Sequence, residues 1–478
     1  MSKHVVILGG GLAGLSCAYE LVQRGVRVTV LEREPHVGGM ASSFVEEGGG
    51  EAWSYDFGPH RFHSKDKHLI DHVRQIVGEG NINHAKRLSR IVLFGKFFDY
   101  PLQTSNILKN MPKGLLVRAI CDYMWVRFLD ATRLRRYTDR DFESWVTRRF
   151  GHTLYRVFFG QYTEKTWGMS PSQISADWAS QRITLLSLWD TIKKTLRPPK
   201  SSADGPRTLV TDFIYPLHGG IGELARGYAK KIEQSGTGSR VLVNAPAVRI
   251  FRDGLKVTGI EYGKHKRETV TGDTYVSTIP VTSLAKCLSP AAPEEALKGA
   301  STLQYVSIVF VYLKLNRPRV SPDSWVYLPE KHLTIHRICE FKNFSPKCAP
   351  EGKTMICAEI TCRRGDEIWR SSTDRLQEIA EKDLVTVGLI EPGQVLGCHV
   401  RKIPYAYPIY DLEYKKHLTP VMDFVALLQN IKTTGRQGNF RYNNMDQSVE
   451  MGRKMGFELA TGERTGHEAI ATGKEYFG

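Results

Sequence analysis

A strand-length apolar run, His4–Leu8, gives way to the glycine-rich turn Gly9–Gly14 and then to LSCAYELVQRG, whose apolar positions recur with helical period until Gly25. Val26–Leu31 is again apolar and closes on Glu32. Strand, tight turn, helix and strand within roughly thirty residues form a βαβ unit, half of a doubly wound parallel sheet. From Leu102 to Lys194 the pattern changes to long amphipathic stretches (Ile107–Leu134, Asp141–Phe159, Ser172–Lys194), which predict an inserted helical domain. The connector RPPKSSADGP, residues 197–206, ends it. Strands return at Arg240–Ile250, Leu255–Tyr262, Glu268–Val270 and Thr274–Ile279. Ser307–Leu315, Ser324–Leu328, Thr334–Phe341 and Thr354–Ile360 then predict an antiparallel sheet. Helices are expected at Arg375–Val387, Val421–Asn430 and Met445–Met455. The predicted α/β chain has a doubly wound, Rossmann-like domain (1–101, 206–300 and 421–460), a helical insertion (102–200), an antiparallel sheet domain (301–420) and a loose polar tail (461–478).

Composition narrows the class without naming a function. The 478 residues are 41% apolar and 24% charged, which excludes wholesale disorder. No apolar run approaches the ~20 residues of a membrane-spanning helix; Val306–Leu313 is strand length. With no basic-then-apolar leader before His4, a cytoplasmic location is expected. The eight cysteines form no CxxC pair and no Cys/His cluster, pointing to reduced thiols and no metal. Sixty-six basic against 50 acidic residues give +16, which suits nucleic acid, an acidic membrane surface or an anionic small substrate. No nucleic-acid-binding motif accompanies the local concentrations Arg133–Arg140 and Lys193–Lys200.

The glycines carry the first chemical signal. The spacing Gly9, Gly11, Gly14 lets backbone N–H groups approach a pyrophosphate at the start of the helix, where Leu12 and Ala13 stand. Glu32, followed by Arg33, ends the second strand, where a carboxylate can accept ribose hydroxyls. Soon after, EREPHVGGMASS (residues 32–43) brings Gly38–Gly39, Met40 and Ala41 past the diphosphate a second time. This extended fingerprint resembles the FAD-binding fold of the glutathione-reductase, amine-oxidase and phytoene-desaturase group. The resemblance implies FAD as cofactor. It also implies that Ala245–Ile250 and Ser277–Pro280 complete the sheet, with the backbone of Val248 meeting the adenine.

Five further segments select within that group: YDFGPHRFHSK (55–65), DYPLQTSN (99–106), YTEKTWGMSPSQISADWASQR (162–182), YAYPIYDL (405–412) and GRQGNFRYNNMDQ (435–447). With Trp325-x-Tyr327 followed ten residues later by Arg337, their order and spacing resemble the UDP-galactopyranose mutase family, most of all its eukaryotic-type members, over about residues 4–455. In that family reduced FAD attacks the anomeric carbon of a nucleotide-diphosphate sugar through N5, and pyranose and furanose interconvert without net redox change. The resemblance implies that Arg337 and Arg436 grip the diphosphate, a task suited to a planar, permanently charged fork. It assigns the hydroxyls of Tyr327, Tyr407 and Tyr442 to the same phosphates and aligns Arg182 with a nucleotide-domain arginine near substrate or flavin. Phe158, Tyr100 and Gln103 would hold the base, and Trp167 and Trp325 would line the sugar pocket. His60 would lie on the loop beside the flavin N5 edge. Met445, Asp446 and Gln447 begin a helix whose N-terminus would stabilise reduced flavin. NADPH is the reductant the family suggests, without a motif of its own here.

Departures from the family are specific. Its loop reads GGH and then an apolar residue; here Gly58, Pro59, His60 and Arg61 stand instead, fixing one φ angle and adding a charge near the sugar or flavin. Val210 and Thr163 replace asparagines. Diphosphate handling is kept, and galactose is only the default sugar. Three readings follow: a flavin-dependent isomerase of nucleotide sugars, an oxygen-using oxidase or desaturase of the protoporphyrinogen oxidase type, and a flavin-binding protein without catalysis. The arginines and tyrosines favour the first, since they would be costly to desolvate beside an apolar substrate.

Overall fold

The computed structural model describes residues 3–132, 139–182 and 212–472. Its organising element is a five-stranded, all-parallel sheet ordered Ile431–Thr433, Thr274–Ser277, β1 (His4–Leu8), β2 (Arg27–Leu31) and Arg240–Leu242. β1 lies at its centre, and Val5 to Leu8 are wholly buried, as an unbroken apolar run in a parallel sheet requires. Between β1 and β2 runs α1 (Leu12–Val22). A Cβ on Gly14 would lie 2.1 Å from the Gly9 carbonyl oxygen, so only glycine lets the helix start so close to the strand it follows.

The last long helix, Met445–Thr461, packs on α1 through a pair of glycines absent from the sequence reading. A Cβ on Gly452 would sit 2.2 Å from the Ala13 carbonyl oxygen, and one on Gly456 2.6 Å from that of Cys17. Contacts advance from 13 to 17 as they advance from 452 to 456, so the two helices run parallel. Both therefore direct their N-termini the same way. Gly452→Leu is expected to force them apart and to lower the unfolding midpoint by more than any exposed substitution in the same helix.

A seven-stranded sheet forms the other layer, ordered Val395–Pro408, Tyr305–Leu315, Thr354–Cys362, Arg337–Glu340, Trp325–Tyr327, Ser89–Leu93 and Lys96–Asp99. It is mixed rather than purely antiparallel, because Trp325–Tyr327 pairs in parallel with Ser89–Ile91. Ser89–Asp99, placed by sequence with the Rossmann-like domain, thus completes this sheet instead. Val395–Pro408 carries no alternating pattern and was not foreseen as a strand. It occupies the edge, where Pro404 is tolerated because one side of the ladder is unpaired.

Helices Thr104–Asn110, Lys113–Ala131, Phe142–Phe150, Gln161–Trp167 and Ala176–Arg182 fill the segment read as helical. The connector 197–206 and Val210 lie outside the described residues. Three further sequence expectations change. Ala245–Ile250 does not join the parallel sheet: Ala247–Asp253 pairs into a separate four-stranded sheet after a turn at Asn244, whose φ is +52°. The helix expected at Val421 begins at Tyr414, and the His417 carbonyl lies 2.3 Å from where a Gly299 Cβ would be, so residues 414–420 belong with the Rossmann-like half. Nor is the tail loose throughout. His467 is buried, and Arg441 donates to the carbonyls of Glu468 and Ile470. Among the described residues, no helix is long and apolar enough to cross a membrane.

Candidate functional site

A cavity of about 950 Å³ opens between the two sheets. At one end the β1–α1 turn contributes Gly9, Gly11, Leu12 and Ala13, and the neighbouring loop contributes Glu32, Arg33, Gly39, Met40 and Ala41. Nothing lies within 4 Å of a Cβ built on Gly11, so this turn offers its backbone to open space. Gly14 does not line the cavity; its part is the close helix–strand approach. The buried Glu32 carboxylate accepts from the Gly10 and Glu34 N–H groups at 2.7 and 2.8 Å. This fixes it at the strand end while each oxygen keeps a lone pair for a hydroxyl.

From the opposite side come Asn443, Asn444 and Met445, at the start of the last long helix. Asn444 and Gln447 cap one another there. Asp446 and Gln447 follow on that helix without lining the cavity themselves, between the lining residues Met445 and Ser448. Near Val248, the residues that line the cavity are Pro246 and Ala247. The cradle remains suited to a dinucleotide cofactor, with two helix N-termini, a glycine turn and a ribose-level carboxylate around one elongated space.

The other end gathers the predicted substrate residues Arg61, Tyr100, Phe158, Trp167, Trp325, Tyr327, Arg337, Tyr407, Arg436 and Tyr442. Gln103 stays outside: it is exposed, at the position preceding helix Thr104–Asn110. Arg182 closes a described helix, but its side chain lies outside what is described. Phe158 meets Phe98 edge-on, combining packing with a cavity face. Tyr327 contacts Tyr100 and Tyr162 at ring separations of 5.2 and 5.4 Å. Tyr162 opens the segment 162–182, to which the sequence analysis gives no role at that position.

Arg337 has a partner that sequence reasoning missed. Its Nε and Nη2 donate to the two oxygens of Glu359 at 2.8 and 2.7 Å, and Glu359 is wholly buried. The pair faces across antiparallel strands, in register. Gly58, with φ +75°, turns above it: a Cβ there would be 2.9 Å from the Glu359 carboxylate. The arginine is thus oriented by a fixed anion and keeps Nη1 for a ligand. Arg436 is held differently. Its Nε and Nη2 donate to the Asn443 carbonyl, and its guanidinium stands 4.8 Å from the Tyr442 ring centre. Tyr407 stacks on Tyr442 at 5.0 Å. No carboxylate pairs with Arg436 among the described residues.

Both arginines act on the same neighbours. Burial, then Arg436, then Arg337 lower the His60 pKa to about 3, so the imidazole is neutral at ordinary pH. Burial and Tyr442 raise the Tyr407 hydroxyl, against the pull of the same two cations, and keep it a donor. His63 and His72 are lowered to about 3 and about 4, chiefly by burial. Asp56, below the His60 loop, is raised to about 7 by burial.

These shifts have opposite signs in stability. The three histidines bind protons in the unfolded chain below pH ~6.5 but not in the native one, so acid destabilises. Asp56 keeps its proton in the native state after the unfolded chain has lost it, so its contribution is present below pH ~4 and lost by about 7. Burial also lowers His4, His36, His336 and His399 and raises Glu32 and Glu340, so the histidines outnumber the raised carboxyls and denaturant unfolding should show stability falling from pH 6.5 to 4.5. A rise over that interval would contradict the buried, neutral histidines.

One ammonium group holds the loop between the two key strands. Lys165 donates to the carbonyls of Leu328, Glu330 and Ile335 at 2.8, 3.0 and 2.7 Å, tying the chain that leads from Tyr327 to Arg337. Burial lowers its pKa to about 8. Lys165→Met should cost roughly 1–3 kcal/mol by leaving carbonyls unpaired. Urea unfolding measures this, and an unchanged midpoint would contradict the loop's dependence on Lys165.

Known proteins place these features. A family model described as flavin containing amine oxidoreductase matches residues 12–410. A probable UDP-galactopyranose mutase from Klebsiella pneumoniae is 27% identical over 180 residues, 37% of this chain and 44% of that relative. The chain therefore matches less than half of that relative's length. Among solved structures, a reduced UDP-galactopyranose mutase superposes with a TM-score of 0.80 at 22% identity, covering all of both chains. A putative protoporphyrinogen oxidase from Exiguobacterium sp. 255-15 gives 0.70 at 16% identity, covering 97% of this chain and all of the other. At these identities the superpositions show the fold alone. The family match agrees with a flavin cofactor, and the comparisons lend no support to NADPH.

Proposed function

This chain belongs to the flavin containing amine oxidoreductase family, and within it we propose an isomerase that interconverts pyranose and furanose forms of a nucleotide-diphosphate sugar. One observation carries the reading: Arg337 and Arg436, from separate elements, line one cavity around the same histidine and tyrosine. Such a pair fits a pyrophosphate that must leave and return. The residues that would hold FAD are Gly9 and Gly11 at the diphosphate, Glu32 at the ribose, and Asn444 and Met445 at the ring. Reduced FAD would supply a nucleophilic nitrogen for the anomeric carbon.

The chain's own residues supply the rest. When the glycosyl–phosphate bond opens, negative charge grows on the departing diphosphate. Arg436 and the unshared edge of Arg337 stabilise that charge, in a site already arranged for it. Tyr327, Tyr407 and Tyr442 donate hydroxyl protons to the phosphate oxygens. Holding the diphosphate in place makes its return an intramolecular event rather than a fresh encounter. His60, neutral, adds a hydrogen bond without adding charge. Trp167 and Trp325 exclude water from the sugar.

The likeness to a putative protoporphyrinogen oxidase keeps an oxidase as the second reading. Incubating the holoprotein with nucleotide sugars, with and without dithionite, separates the two. Ring interconversion under dithionite without oxygen supports the isomerase; oxygen-dependent turnover with peroxide formation rejects it.

A further inference from the structure

The cavity holds a second pair of cations that pyrophosphate handling does not use. Arg87 and Arg61 both line it, each near the Trp325 ring. The Arg61 guanidinium carbon is 4.1 Å from the Trp325 ring centre, and that of Arg87 is 5.4 Å from it and 5.7 Å from Tyr100. Nε and Nη1 of Arg87 are buried without a hydrogen-bond partner among the described residues, and no carboxylate there pairs with it. His63 sits beside them, its Nδ1 also buried and unsatisfied. Burial and the charges of Arg61 and Arg87 keep that imidazole neutral.

Leaving donors of a cation dry and unmatched costs free energy, so the arrangement calls for an acceptor from outside the chain. Its position relative to the first pair follows from the charges each histidine feels. Arg436 and Arg337 dominate the charge felt by His60, whereas Arg61 and Arg87 act on His63; Arg61 acts on both. Trp325 and Tyr327, two residues apart on one strand, present the same face to the two groups. Both groups line the same cavity, with Arg61 acting on both histidines, so the sites adjoin.

We propose that Arg87, with Arg61 and His63, forms a second anion subsite that binds a carboxylate on the sugar of the nucleotide substrate. A flat guanidinium fork beside flat aromatic rings matches a planar carboxylate, and a neutral imidazole can donate to it. The inference rests on the nucleotide-sugar reading above, and it replaces a neutral hexose by an acidic one.

Calorimetric titration of the FAD-loaded protein tests it with UDP, UDP-galactose and UDP-galacturonate. UDP-galacturonate should bind about tenfold tighter than UDP-galactose, the scale of one charge-assisted hydrogen bond. Arg87→Gln should erase that difference while UDP affinity changes less than about twofold, and Arg87→Lys should keep part of it. Equal binding of acidic and neutral sugars, or a preference that survives Arg87→Gln, overturns the subsite. Equal weakening of all three ligands would assign Arg87 to the pyrophosphate and also overturn it. If UDP does not bind at all, the nucleotide reading fails separately. Free galacturonate against galactose, read as a thermal shift in wild type and Arg87→Gln, then decides the carboxylate subsite alone: an acid-specific shift lost in the variant sustains it, and its absence ends it.

Discussion

Arg436→Ala should lower the rate of sugar ring interconversion by at least about 10²–10³-fold, the effect of removing one preorganised donor from a developing anion. The yellow flavin should stay bound, because the cofactor cradle is built from the β1–α1 turn, Glu32 and the start of the last helix. Arg436 is expected to outweigh Arg337 here. Arg337 shares its charge with Glu359, whereas among the described residues Arg436 is anchored by carbonyls, a methionine sulfur and two tyrosine rings. Arg436→Lys should recover little, since a point charge cannot keep both the Asn443 carbonyl and a phosphate oxygen. Steady-state conversion monitored by chromatography, beside the flavin absorbance of the purified variant, measures both parts. Activity within twofold of wild type would remove Arg436 from the diphosphate.

Gly14→Val should yield protein without flavin. The new Cβ would meet the Gly9 carbonyl oxygen at 2.1 Å, a contact that only movement of β1 or α1 relieves. β1 is the central strand of the parallel sheet, so the helix must shift, and the N-terminus proposed to hold the diphosphate shifts with it. The flavin-to-protein absorbance ratio should fall close to zero, even where circular dichroism shows a folded chain. Full flavin occupancy would show that the turn does not hold the cofactor as described.

These two residues also mark where sequence was informative. Gly14 stands in a pattern whose every member is local: strand, turn, helix and acidic strand end lie within one βαβ unit, and period and glycine spacing expose it. Arg337 shows the opposite. Its presence was legible, but its partner Glu359 lies 22 residues away and meets it only through strand register. The hint was a single acid in an otherwise apolar strand, MICAEITC, opposite a single arginine in another. Val395–Pro408 escaped because an edge strand with Gly397, Pro404 and several cations shows no alternation. Val248, Asp446 and Gln447 each stand one residue from a cavity-lining position, Ala247, Met445 and Ser448 respectively. Whether a side chain points into a cavity depends on a turn or cap conformation that composition does not encode. Arg87 gave no signal at all, since it belongs to no local pattern, and His63 stood in the segment 55–65 without a role of its own; their association exists only in three dimensions.

The most direct test is a crystal structure of the reduced, FAD-loaded protein with UDP bound. The account expects the pyrophosphate between Arg337 Nη1 and the Arg436 guanidinium, with both within hydrogen-bonding distance. It also expects the hydroxyls of Tyr407 and Tyr442 turned toward the phosphates. A pyrophosphate held elsewhere in the cavity, or contacted by neither arginine, would contradict it.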